Sequence, residues 1–340
     1  MLAKDKQVLT RGKKIGIIVA AFAALLFVSI LSIGMGTADA SFSEIIGAIT
    51  GRVSEGGNYH ILQNIRIPRI VTGVLVGMNL AVSGVLLQGV LRNPMASPNI
   101  IGVNAGAGLA AISIMALFPQ SIQLITPASF IGALLASLLI YFLAAKTGQK
   151  SSTVHIVLAG MAVSALLNAV TNGIMMINSD VLDVTFSWTL GSLSGRSWSA
   201  VNMILPYSLV GLVIAVFISP KLNLFELGDE IASSMGLRIG LYRVVIIMVA
   251  SLLAGSAVAA AGTIGFVGLI APHIGRLMIG SDHRFLVPLS ALLGGVLLVF
   301  SDTLARTVFQ PVELSVGIVT AVLGAPFFLY LLKNMQRKED

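Results

Sequence analysis

Side chains that could do chemistry are few in this sequence and stand far apart. The chain has no cysteine and four histidines, and the histidines show no metal-ligand spacing: His60, His155, His273 and His283. No G-x4-G-K-[ST] nucleotide loop, H-E-x-x-H helix or G-x-S-x-G turn occurs. The sequence therefore predicts no catalytic residue, no metal site and no cofactor bound by this chain.

A candidate intramembrane acid is Asp302, which has Arg306 one helical turn later. That spacing allows an i,i+4 ion pair. An ion-coupled carrier usually keeps ionisable groups at membrane depth, whereas Asp302 lies near one end of its apolar run. An ion-coupled secondary transporter is therefore the more remote alternative, and we expect the chain to take its energy from a partner.

A short acidic segment, 224–240, interrupts the apolar second half of the chain with the sequence LFELGDEIASSMGLRIG. Its acids are Glu226, Asp229 and Glu230. Apolar residues recur in it at helical spacing: Leu224, Leu227, Ile231 and Met235. Gly228 lies between the acids, and Gly236 offers a C-terminal stop. The pattern predicts an amphipathic helix, which either caps the bundle as an ordinary loop helix or contacts a partner.

The elements that must position these residues are membrane-spanning helices. The chain is 56% hydrophobic and only 10% charged, against about 25% charged residues in a soluble domain. Its apolar runs are long and continuous, which predicts helices rather than a barrel. The net charge of +7 is assigned to cytoplasmic loops, so no nucleic-acid partner is expected.

We predict one transmembrane permease domain over residues 1–340 with ten spans. They lie near 15–36, 66–90, 99–118, 124–145, 154–176, 201–219, 241–262, 264–279, 286–308 and 314–332. With both termini in the cytoplasm, only five of the 21 basic residues fall outside: Arg52, Arg66, Arg69, Arg196 and Arg306. This asymmetry follows the positive-inside rule and assigns segment 220–240 to the cytoplasm.

Two stretches share the pattern G-x6-G-x9-P. One runs from Gly77 through Gly84 to Pro94, and the other starts at Gly255 and ends at Pro272. The predicted spans that carry them run in opposite directions, which indicates an inverted internal repeat of the kind common in transporters.

Several blocks together resemble the iron–siderophore and cobalamin (FecCD/BtuC-type) family of ABC-importer permeases. The two long blocks are RIPRIVTGVLVGMNLAVSGVLLQGVLRNPMASPNIIGVNAGAG (66–108) and GTIGFVGLIAPHIGRLMIGSDHR (262–284). FSWTLGSLSG (186–195) and SDTLAR (301–306) match further family positions. The resemblance covers nearly the whole chain.

The resemblance implies an all-α integral membrane protein with the type II importer fold of ten helices. It implies a second permease subunit, two cytoplasmic ABC ATPases that bind ATP and Mg, and an extracytoplasmic substrate-binding protein. This chain would be a transport subunit in the bacterial cytoplasmic membrane, surrounded by lipid, and would perform no enzymatic step itself.

The resemblance also implies roles for particular residues. Segment 220–240, including Leu224 to Gly236, would couple to the ATPase. Arg66, Arg69 and Arg306 would dock acidic residues of the binding protein, although headgroup anchoring also explains arginines there. Ser152 and Thr153 would form a cytoplasmic gate, although such residues also serve as helix N-caps.

The expected cargo is a ferric siderophore or related iron chelate. Cobalamin and haem are the alternatives within the family, and a zinc or manganese permease is a related one. The sequence leaves open whether the two permease subunits are identical.

Overall fold

The computed structural model describes residues 9–35, 47, 57–99, 102–145, 153–178 and 188–336, and these are mostly helical. The helices begin with α1 (Arg11–Gly34), α2 (Gly57–Ile61), a π-helical turn (Leu62–Arg66), α3 (Ile67–Leu91), α4 (Val103–Leu117) and α5 (Ile125–Ala145). They continue with α6 (Thr153–Ile177), α7 (Trp198–Glu226), α8 (Asp229–Ser234), α9 (Ile239–Ala261), α10 (Val267–Ile279), α11 (His283–Thr307) and α12 (Val316–Gln336).

Apolar length separates these helices into two groups. In the described ranges, seven helical stretches are long and apolar enough to cross a membrane, and α4, α10 and the Val316–Tyr330 part of α12 are shorter apolar stretches. The 13 residues of α10 rise about 20 Å, less than a hydrocarbon core of about 30 Å. The count of ten crossings stays a prediction.

The centre of the bundle is formed by α3 and α9, which are the most buried of the long helices. Glycines in α3 allow its backbone to contact the backbones of two neighbouring helices, α10 and α11, directly. A side chain at Gly77 would collide with the carbonyl of Gly294 in α11, and one at Gly84 with the carbonyl of Gly268 in α10. Small residues at such crossings let helices in lipid gain dispersion contacts.

A polar contact also holds the central helices together. The amide of Asn79 in α3 donates to Ser208 of α7 at 2.7 Å and to Ser256 of α9 at 3.1 Å. All three side chains are buried. A hydrogen bond in an apolar bundle fixes helix register because an unpaired amide there would be costly.

The glycine-rich stretch 260–268 breaks the helix between α9 and α10. Gly262 has a φ of 72° and Phe266 a φ of 67°. The break is held by the 188–192 loop, since Ser192 N–H donates to Ala261 O at 2.8 Å. The predicted turn thus occurs here, but Gly84, the matching glycine of the other motif, lies inside the continuous α3. The inverted repeat stays a prediction.

Candidate functional site

The acidic segment folds as a helix end, a corner and a short helix at one end of the bundle. We call this the 226 end, because α7 ends there at Glu226. Gly228 makes the corner with a φ of 100°, a conformation that strains other residues. Asp229 and Glu230 occupy the first turn of α8, where negative charge suits the helix dipole. Gly236 follows the helix with a φ of 84°.

Three apolar side chains of the segment point away from the bundle. Leu227, Ile231 and Met235 are 50%, 52% and 59% exposed. The predicted continuous apolar face that began at Leu224 is wrong, because Gly228 turns the chain between Leu224 and the others. Leu224 instead packs against the buried core.

Asp229 anchors the short helix to two longer ones. Both of its carboxylate oxygens accept from Nη2 of Arg243 in α9 at 3.0 Å. Nη2 of Arg92, just after α3, lies 3.8 Å from its Oδ1. A cavity of about 520 Å³ opens beside these groups and beside Leu227 and Ile231. The sequence marked Asp229 as a candidate, but its arginine partners were missed because they lie in distant segments.

A second set of contacts ties the end of α7 to the start of α11. Asn223 donates to Oδ1 of Asp282 at 2.8 Å and accepts from the backbone of His283 at 2.9 Å. Oε1 of Glu226 lies 3.9 Å from Nδ1 of His283. Hydrogen bonds from the Arg284 side chain lower the pKa of Asp282 below its ordinary value, against an opposing effect of partial burial. Asp282 therefore remains ionised and holds this corner.

The opposite end, which we call the 302 end, carries a buried charge cluster. Nε and Nη2 of Arg69 in α3 donate to the two oxygens of Asp302 in α11, each at 2.9 Å, and Nη1 donates to Glu313 at 2.9 Å. The predicted ion pair of Asp302 with Arg306 is present, with Nε 3.4 Å from Oδ2. The stronger partner of Asp302 is nevertheless Arg69, which the sequence did not indicate.

Glu313 joins two loops at the 302 end. It accepts from Arg69 and, at 3.2 Å, from the hydroxyl of Ser194. Burial acts to raise the pKa of Glu313, but hydrogen bonds from Arg69 and Ser194 and the charges of Arg69 and Arg306 lower it below its ordinary value. This residue was absent from the sequence-based candidates, since nothing in its local pattern separates it from an ordinary loop acid.

The predicted docking arginines all make contacts inside the chain. Arg66 donates to the carbonyl of Ile33 at 2.7 Å, and Arg306 donates to the carbonyls of Ser32 and Met35 at 2.8 and 2.9 Å. Arg66, Arg69 and Arg306 are each no more than 7% exposed. Each therefore has a structural role, and a role in docking stays a prediction.

The remaining candidate residues lie elsewhere. Thr153 is the first residue of α6, whereas Ser152 lies outside the described residues, so the gate stays a prediction. In the part of the chain that the structure describes, no group of three histidine or acidic side chains could hold a metal ion.

Comparison with known proteins gives a consistent set of relatives. The chain is 40% identical over 316 residues to the Fe(3+)-citrate import system permease protein YfmE of Bacillus subtilis, covering 93% of this chain and 94% of that one. It is 42% identical over 276 residues to the cobalamin import system permease protein BtuC of Halobacterium salinarum, covering 81% and 74%.

The fold matches a solved structure described as an inward-facing, metal-chelate-type ABC transporter. The TM-score is 0.82 at 27% identity, and the match covers 94% of this chain and 99% of that one. The model of the FecCD transport family matches residues 24–334. The chain therefore belongs to the FecCD transport family, whose members are permease subunits of ABC transporters and not enzymes.

Proposed function

We propose that this chain is the membrane-spanning permease of an ATP-driven importer that brings a ferric siderophore or related iron chelate into the cytoplasm. The relative from Bacillus subtilis, an Fe(3+)-citrate permease, matches over nearly the whole of both chains and favours an iron chelate. The cobalamin permease of Halobacterium salinarum favours cobalamin as the second candidate. Haem remains a further alternative.

The observation that carries the proposal is the exposed apolar row on the 224–236 segment. Leu227, Ile231 and Met235 stand together at the surface, beside the acidic start of α8. Large apolar side chains grouped at a surface mark a contact site. We assign this surface to the ATPase, with the 226 end in the cytoplasm of a bacterium.

Two ATPase subunits would bind a pair of permeases, each through this segment. Movement of α8 would reach α9 through the pair of Asp229 with Arg243, and α3 through Arg92. These two helices form the centre of the bundle, so their displacement would change the transport path. ATP and Mg would be bound by the ATPases alone.

At the other membrane face, a binding protein would deliver the cargo to the 302 end. Arg66, Arg69 and Arg306 place three positive charges near that surface, of which Asp302 and Glu313 offset two, leaving a net positive charge. Docking there would be guided by electrostatic attraction, which sets orientation and association rate more than affinity. Ser152 and Thr153 would restrict the inner exit.

The test is uptake into vesicles that hold this chain, its ATPase, its binding protein and any partner permease. Ferric siderophores, ferric citrate, haem and cobalamin are offered with and without ATP. ATP-dependent uptake of one iron chelate is the expected result. ATP-dependent uptake of cobalamin alone would show that cobalamin, and not an iron chelate, is the substrate. Uptake driven by an ion gradient without the ATPase would refute the proposal.

The contact surface is tested with Ile231→Glu, which puts a charge into the apolar row. Losing the burial of one isoleucine weakens the ATPase contact by about 2 kcal/mol, or roughly 30-fold. Ser233→Glu adds the same charge on the opposite side of α8, since two residues turn a helix by about 200°. ATPase binding should fall with the first variant only. Equal effects of both variants would show that the row is not the contact.

A further inference from the structure

A basic cavity lies beside the start of α1, away from the 224–236 segment. Its volume is about 490 Å³, and it is lined by Leu9, Arg11, Lys14, Arg284 and Phe285. The Nζ of Lys14 lies 5.0 Å from the centre of the Phe285 ring, a cation–π contact that positions the ammonium group at the cavity wall. The cavity thus joins the first turns of α1 and α11.

The cavity has an excess of positive charge. Arg284 is paired with Asp282 at 2.8 Å, so those two charges largely offset each other. Of the residues that the structure describes, none with a carboxylate pairs with Arg11 or Lys14. Within the described part of the chain, these two cations are thus open to an anion, and their side chains are exposed or half-buried.

An apolar stripe begins one turn after Arg11, which lines the cavity, and continues along the same face of α1. Ile15, Val19, Phe22, Leu26 and Ile30 recur at intervals of three and four residues, and they are between 40% and 61% exposed. The opposite side of α1 packs on α11, with Ala21 and Leu25 buried. Since α1 is long and apolar enough to cross a membrane, this stripe faces hydrocarbon chains.

We propose that the cavity binds the phosphate headgroup of an anionic membrane lipid, with an acyl chain along the α1 stripe. The chemistry recognised is a phosphodiester next to a long alkyl chain. Arg11 and Lys14 hold the phosphate, and Arg284, when its pairing with Asp282 is shared, supplies further donors. A lipid fits better than a soluble acidic peptide, because Arg11 and the apolar stripe share one face of a helix that is long and apolar enough to cross a membrane.

This site is distinct from the two surfaces used in the proposed transport function, since it lies on neither the 224–236 segment nor the 302 end. A bound lipid would fasten α1 to the start of α11, which the Asn223 contacts link to the end of α7. The lipid would therefore stabilise the helix arrangement that carries the proposed coupling surface.

The experiment is native mass spectrometry of the full-length chain, titrated with phosphatidylglycerol and, separately, with phosphatidylcholine of the same acyl chains. A basic residue near an anionic lipid surface strengthens binding about fivefold. Arg11→Gln with Lys14→Gln should therefore weaken phosphatidylglycerol binding about 25-fold and leave phosphatidylcholine unchanged. The matched control, Lys221→Gln with Arg238→Gln, removes two charges at the same end and should change binding less than about twofold.

Further arms separate the sources of the phosphate. Inorganic phosphate and short-chain phosphatidylglycerol should not displace the long-chain lipid, because neither fills the stripe. Displacement by inorganic phosphate would mean a phosphate site and overturn the proposal. If the control variant loses phosphatidylglycerol binding equally, the effect is one of net charge and the proposal is overturned. If the Arg11→Gln, Lys14→Gln variant fails to assemble with the ATPase but still binds lipid, the cavity is a protein contact instead. If the double variant misfolds, Arg11→Gln alone should still give the fivefold loss.

Discussion

Replacing Asp302 with asparagine tests how firmly the 302 end is held together. The Asp302 side chain is 4% exposed and pairs with both Arg69 and Arg306. Removing one partner of a buried ion pair typically destabilises a protein by about 3–5 kcal/mol, because the other charge is left uncompensated. In Asp302→Asn, Arg69 keeps Glu313, whose side chain is 42% exposed. That contact contributes at most about 1 kcal/mol, so we expect a net loss near 3 kcal/mol.

The assay is denaturant unfolding of the purified chain in detergent, followed by tryptophan fluorescence. Glu313→Gln is the matched control, since it removes a carboxylate from the same arginine at a half-exposed position, and it should lower the free energy of unfolding by about 1 kcal/mol or less. Asp302→Leu combined with Arg69→Met should recover part of the loss, because it removes the two members of the closest buried pair together, while Arg306 keeps its bonds to the carbonyls of Ser32 and Met35. A variant Asp302→Asn no less stable than Glu313→Gln would refute the reasoning.

Three other expectations concern packing, anchoring and pH. Gly84→Ala should lower the free energy of unfolding by about 1–3 kcal/mol, because the added methyl group meets the Gly268 carbonyl. In the same unfolding assay, Gly173→Ala should be neutral or slightly stabilising, because the space around Gly173 is open. Asp229→Asn should speed amide exchange within α8 with little change in global stability, since the Asp229 carboxylate is 41% exposed and solvent screens its ion pairs. Slower or unchanged exchange would contradict the anchoring role. The pKa of Glu313 is lowered by the fold. Its stabilising contribution is therefore complete above the ordinary glutamate pKa of about 4.3 and is lost as pH falls through the lowered value. In the unfolding assay, Glu313→Gln should lack this part of the loss of stability at acid pH.

Local patterns predicted the helical class and the places where the chain breaks. Apolar runs located the helices, because backbone groups in lipid must be hydrogen-bonded within the chain. The glycines of 260–268 predicted a helix break. Gly228 and Gly236 stand at the two ends of α8 with positive φ. What the pattern could not supply was the direction of the corner, so Leu224 was assigned to the wrong surface.

Ion pairs between distant positions could not be predicted from the sequence. Asp302 was matched with Arg306 because i,i+4 spacing is visible in one helix. The closer partner, Arg69, is 233 positions away, and only the packing of α3 against α11 brings the two together. The same limit applies to Asp229 and Arg243, which meet because the corner at Gly228 folds α8 back toward α9.

The two ends of the bundle are held together differently, and the difference bears on the proposed coupling to the ATPase. At the 302 end, Arg69, Asp302 and Arg306 are nearly fully buried, so α3 and α11 are joined by an ion pair that solvent hardly screens. Arg306 also donates a hydrogen bond to the end of α1, at the carbonyl of Ser32. At the 226 end, α8 is held by Asp229, whose carboxylate is 41% exposed, so that solvent screens its ion pairs more than those of Asp302. A force applied to α8 would therefore tilt α3 about its firmly held end rather than shift the bundle as a whole. Loosening the 302 end, as in Asp302→Asn, should then reduce uptake more than it reduces ATP hydrolysis.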